Sequence, residues 1–136
     1  MKKYILIFGL VIFSYQSFSQ LCYKNELPAI DGVEIKYRFF RAKFFDKNSP
    51  LSLRFKFENT NDYDVKVKFE LIYYLNIMDI YESGMIEVCI PENKTRKGRR
   101  HGLYFETIVK DVEEFEKEDN WWELENFSVE KNEEDC

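Results

Sequence analysis

Between Leu51 and Leu75 the chain alternates apolar and polar residues with little interruption. Leu51, Leu53, Phe55 and Phe57 share one side of an extended chain, and Ser52, Arg54, Lys56 and Glu58 share the other. After Asn59-Thr60-Asn61-Asp62 the pattern resumes with Val65, Val67, Phe69, Leu71, Tyr73 and Leu75, facing away from Lys66, Lys68 and Glu70. A period of two is the signature of a strand with one buried face. In a helix the same residues would be scattered around the circumference. Asn and Asp tolerate turn geometry, so two such strands around an Asn/Asp cluster predict a β-hairpin.

Other stretches carry the same signal. Val33, Ile35, Tyr37 and Phe39 alternate, then Phe40, Ala42 and Phe44 take over the apolar phase. A shift of one residue predicts a β-bulge, or a strand passing from one sheet to another. A further strand holds Ile86, Val88 and Ile90, ending at Pro91. Another runs from Leu103 to about Val109, and the last from Trp121 to Val129 with a phase change near Asn126. Between them the acidic stretch 111–120 follows helical spacing at Ile108, Val112 and Phe115, which predicts one or two helical turns. Strands of this length with short connections predict an all-β domain. Its expected form is an immunoglobulin-like two-layer β-sandwich of about six to seven antiparallel strands. A small open barrel is the alternative.

The N-terminus reads differently. Met1-Lys2-Lys3 precedes the ten apolar residues from Tyr4 to Phe13, and Ser17-Phe18-Ser19 offers small residues at a cleavage site. This is the pattern of a secretory signal peptide, and the run is shorter than the ~20 residues a membrane-spanning helix needs. The expectation is cleavage after Ser19, leaving a single domain over 20–136 with an ordered core of about 33–131. The large Leu21 directly before Cys22 argues against lipid attachment at that cysteine. The protein is therefore expected to be secreted or periplasmic, with no transmembrane segment in the mature chain.

With Lys2 and Lys3 removed, 18 basic residues face 25 acidic ones, a net charge of −7. Such a domain is ill suited to nucleic acid. Cys22, Cys89 and Cys136 would meet an oxidising compartment, where one disulfide and one free thiol are expected. Cys89 lies out of phase with Ile86, Val88 and Ile90, so it should face outward and bond a terminal segment. Cys22–Cys89 is the favoured pair, because Cys136 closes an acidic tail; Cys136 is the alternative partner. With no CxxC and a single histidine, His101, no metal site or cofactor is expected.

Lys94, Arg96, Lys97, Arg99 and Arg100 form a basic run that could receive an anionic ligand or partner. Trp121 and Trp122 are adjacent on a strand, so one ring should enter the core and the other face outward as a possible stacking platform. Ile72 and Tyr74 interrupt a polar face and require either a cover or a partner. Asn59, Asn61, Asp62 and Asp64 supply oxygen atoms but match no calcium loop, and a turn uses such residues without metal. No nucleophile, acid–base pair or phosphate-binding glycine loop shows catalytic spacing, so no catalytic residue is assigned.

The stretch Leu51-x-Leu53-x-Phe55-x-Phe57-Glu58-Asn59-x-Asn61-Asp62, with Cys89-Ile90-Pro91-x-x-Lys94-Thr95 and Gly102-Leu103-Tyr104, resembles small secreted immunoglobulin-like proteins of Bacteroidota. The resemblance spans roughly Val33 to the C-terminus. It implies a fold and carries over no catalytic residue. The expected function is an exported, non-catalytic binding or interaction module with a protein or glycan partner. The alternatives are a glycan- or anion-binding accessory protein using 94–101 and a surface Trp, and a small hydrolase.

Overall fold

The computed structural model describes residues 23–43, 45–111, 113, 117 and 119–136. The expected leader and Cys22 lie outside these residues. Among the described residues, nine strands form two antiparallel sheets: β1 (Asn25–Ile30), β2 (Val33–Arg41), β3 (Leu51–Asn59), β4 (Val65–Leu75), β5 (Met78–Glu82), β6 (Ile86–Ile90), β7 (Thr95–Lys97), β8 (Tyr104–Glu106) and β9 (Trp121–Lys131). One sheet runs β1-β2-β3, with β7 and β8 following each other along the far side of β3. In the other, β4 is central, with β9 on one side and β5 and β6 following each other on the other. The domain is thus an all-β sandwich. Strands adjacent in space are separated in sequence, β3 beside β7/β8 and β4 beside β9, which is Greek-key wiring.

The apolar rows read from the sequence meet between the sheets. Leu53, Phe55 and Phe57 of β3 and Val65, Val67, Phe69 and Leu71 of β4 are fully buried. Phe57 and Phe69 cross at 5.3 Å between ring centroids in an edge-to-face arrangement, and Phe127 of β9 approaches Phe57 to 5.8 Å. This geometry suits the aromatic quadrupole better than face-to-face stacking.

The hairpin expected between β3 and β4 does not form. The two strands belong to different sheets, and residues 60–64 carry the chain across the end of the sandwich. Alternation gives each strand one apolar face. It does not say whether two such faces lie side by side or oppose each other. Asn59 decides it at the corner. It is 1% exposed, and its amide donates to the carbonyls of Tyr63 (2.8 Å), Ile90 (3.2 Å) and Pro91 (3.1 Å). Its Oδ1 accepts from the Asn61 backbone N–H at 3.0 Å. One side chain therefore ties the end of β3 to the end of β6 in the opposite sheet.

The bulge expected at Phe39-Phe40 is also absent. β2 pairs residue for residue with β3 from Val33↔Asn59 to Arg41↔Leu51. Phe40 stays on the outer face, where the Arg38 and Arg54 guanidinium groups lie 5.1 and 4.4 Å from its ring centroid. The phase change records an outer aromatic covered by arginine, not an inserted residue. At Asn126 the expected irregularity does occur. The β4–β9 register slips between Lys68 and Glu70, and Asn126 has φ 52°. β1, β5 and β7 were not read from the sequence. The expected strand over 103–109 is β8 extended by ladder-like bonds, Thr107 N–H to Leu51 O and Leu51 N–H to Val109 O, both 2.8 Å. The helical turns expected over 111–120 fall largely outside the described residues.

Candidate functional site

The basic run does not form one face. Thr95–Lys97 is a strand against β3, Arg99–His101 is a single 3-10 turn, and Gly98 bridges to Leu103. Arg96 is drawn inward, its Nε donating to Cys89 O at 3.1 Å. Arg99 lies over Tyr104 at 4.3 Å and pairs with Glu106 at 3.5 Å. Lys97 sits opposite Lys56 in the ladder, and Lys94 and Arg100 are exposed. His101 Nδ1 lies 3.0 Å from Lys97 O, within its own turn.

Trp121 and Trp122 do face opposite ways. Trp122 points between the sheets, 4.7 Å from Tyr37 and 5.6 Å from Phe55. Trp121 lies on the outer face and stacks on Tyr74 at 4.5 Å with an interplanar angle of 13°. The two interruptions of the polar face are thus accounted for: Tyr74 is covered by Trp121, and Ile72 is 6% exposed between β5 and β9. The Tyr74 hydroxyl donates to Glu125 at 3.2 Å. Glu123 first, then loss of water and Glu125, push its ionisation above the ordinary tyrosine range. The basic run and Trp121 lie on different sheets, so the site expected from their combination is not assembled.

Cys89 faces outward beside Lys66, as its phase requires, and is bonded to Cys136 with Cα atoms 5.7 Å apart. The favoured Cys22–Cys89 pair is therefore replaced by the alternative. The acidic tail is anchored by more than the bond. Asn132 N–H donates to Asp64 O (2.8 Å), and Cys136 N–H donates to Asp64 Oδ2 (2.9 Å). Asp64 Oδ1 accepts from Glu92 N–H at 2.9 Å. Those two amides, Cys136 first, hold the Asp64 carboxyl below the usual carboxylate range. Within the Asn/Asp cluster at 59–64, Asn59 and Asp64 thus spend side-chain oxygens on backbone amides.

A further opening in the surface lies where no motif pointed. A cleft of about 460 Å³ separates β1 and β2 of one sheet from β9 of the other. Leu27, Pro28 and Ile30 form one wall, and Leu124 and Phe127 the other, with Ile35, Tyr37 and Trp122 between; Trp121 and Glu123 also line it. Its volume lies in the range of binding pockets, about 300–1,000 Å³. The inner row of β4 is sealed, whereas Trp122, Leu124 and Phe127 of β9 remain partly exposed. The sandwich is open along this side. The one sequence signal was the apolar inner row of the last strand. Its partner wall, Asn25–Ile30, was not read as a strand, so the cleft could not be inferred. Among the described residues no helix is long and apolar enough to cross a membrane, and no group of three His, Cys, Asp or Glu could hold a metal. No family model, curated protein or solved structure matches the chain.

Proposed function

We propose that this protein is an exported, non-catalytic interaction module whose binding face is the cleft between β1 and β9. The observation that carries the reading is the coincidence of an apolar cleft with the outer edge of β9, which forms a ladder with β4 only among the described residues. Apolar walls supply affinity, and an unpaired strand edge supplies directional main-chain groups. Within the polar clusters, Asn59, Asp64, Arg96 and Arg99 are engaged by other groups of the fold. Export rests on the leader at Met1–Ser19, and a disulfide suits the compartment it leads to. The net charge of the mature chain favours a protein partner over nucleic acid.

Selection from a displayed peptide library tests the binding face. Enriched peptides should raise or shift tryptophan emission, because Trp122 lines the cleft. They should lose binding to the Leu124→Asp variant. A library that yields no binder, or binders indifferent to Leu124→Asp in a folded variant, overturns the reading.

A further inference from the structure

The edge of β9 restricts what the cleft can receive; this inference rests on the cleft being the binding face. β9 is an 11-residue strand whose side facing away from β4 has no ladder among the described residues. Such an edge presents a row of N–H and C=O groups. The opposing edge, β1, is closed to pairing by comparison: it carries Pro28 and a register shift between Leu27 and Ile30.

The course of the chain leaves this edge uncovered by its own described neighbours. After Lys131, the segment 132–136 is drawn to Asp64 and Cys89. Cys89 is on β6, across β4 from β9. Tyr23, which precedes β1, has its ring 5.1 Å from the Arg38 guanidinium carbon on the outer face of the other sheet.

Charge distinguishes the remaining occupants. Glu123 and Glu125 alternate along the outer face of β9, and Glu70 lies opposite Glu125 in the ladder. None of the three has a lysine or arginine at ion-pair distance among the described residues. A second copy of β9 laid antiparallel about Leu124 would set Glu123 of one copy against Glu125 of the other. Like charges directly across a ladder are destabilising, and opposite charges there are favourable. The same side chains therefore oppose self-pairing and favour a basic strand.

We propose that the cleft takes an extended segment of a partner protein that adds antiparallel to β9. Its alternate apolar side chains enter the cleft, and its alternate Lys or Arg side chains face Glu123 and Glu125. Main-chain bonds to β9 and the alternation together define the ligand: an apolar/basic period-two segment.

Three synthetic peptides test this with the full chain and with the chain from Gln20. One alternates Leu or Val with Lys. One replaces Lys by Glu. One keeps Lys but is N-methylated on the alternate amides that would face β9. The Lys peptide should bind at least roughly tenfold tighter than the Glu peptide. N-methylation should abolish binding, and the Lys peptide should slow hydrogen exchange of β9 amides. The Glu123→Lys/Glu125→Lys variant, whose changes lie on the outer face, should reverse the charge preference without relying on a core substitution. Equal binding of the methylated peptide overturns strand addition and leaves the cleft reading standing. No binding by any peptide, or binding unaffected by Leu124→Asp, overturns both. A concentration-dependent dimer lost on Leu124→Asp identifies a second copy as the occupant and overturns the proposal. So does binding by the chain from Gln20 that the full chain blocks, which would assign the cleft to the leader.

Discussion

At the scale of single residues, two side chains near one end of the sandwich do much of the organising. Asn59, at the end of β3, donates to carbonyls of the 60–64 crossing and of the end of β6 while almost wholly enclosed. Its removal takes a donor from the buried Ile90 carbonyl and from two partly buried ones. Asn59→Ala should therefore cost roughly 3 kcal/mol by denaturant unfolding, within the range for stranded buried polar groups. Asp64 acts by charge instead. Its ionised carboxylate receives the Cys136 and Glu92 amides, so its folded pKa lies below the unfolded value. The stabilisation is fully present above the ordinary Asp pKa of about 3.9. It is lost as pH falls through the lowered folded value. An NMR titration should show the Cys136 and Glu92 amide shifts moving together with a midpoint below that ordinary value, and Asp64→Asn should remove the transition. Glu123 and Glu125 of β9 belong to no motif in the sequence. Only their neighbours on β4 make them a directed patch.

At the scale of elements, β9 is bent by one residue. Asn126 takes a left-handed conformation, and its amide reaches Glu70 Oε2 at 2.9 Å. The slip moves the apolar phase from Trp122 and Leu124 to Phe127 and Val129, keeping all four on the inner face. A β-branched residue resists that conformation. Asn126→Val should destabilise by about 1–2 kcal/mol and broaden the resonances of residues 125–128. Asn126→Gly should fold with a smaller loss. The sequence shows this bulge because the apolar register itself changes there. It misleads at Phe40, where an equal change of register comes from arginines covering an outer aromatic. Periodicity reports which residues avoid water, and a guanidinium plane can shield a ring as well as a core can.

At the scale of the whole molecule, the Cys89–Cys136 bond closes a loop with a sequence separation of 47. It ties the chain end to the sheet that contains β9. Loop-closure entropy assigns such a bond about 4 kcal/mol. Cys136→Ser should lower the unfolding free energy by about 2–4 kcal/mol and free residues 132–136 to proteolysis, while hydrogen exchange in β3 and β4 keeps its rank as slowest. A second prediction concerns export. Expressed with its leader in a secreting bacterium, the protein should be recovered outside the cytoplasm with Gln20 at its N-terminus by intact mass. Retention of residues 1–19 would contradict the signal-peptide reading.

The sequence by itself determined the fold class, the inner and outer face of most long strands, the outward placement of Cys89 and the opposite facing of Trp121 and Trp122. These are local consequences of a side-chain period of two, which any strand obeys whatever it pairs with. Tertiary structure decided the rest. It placed β3 and β4 in opposite sheets, joined Cys89 to Cys136, scattered the basic run and opened the cleft between β1 and β9. Each of these depends on which strands become neighbours. That choice is made by long-range burial and by corner groups such as Asn59, which leave no period in the chain.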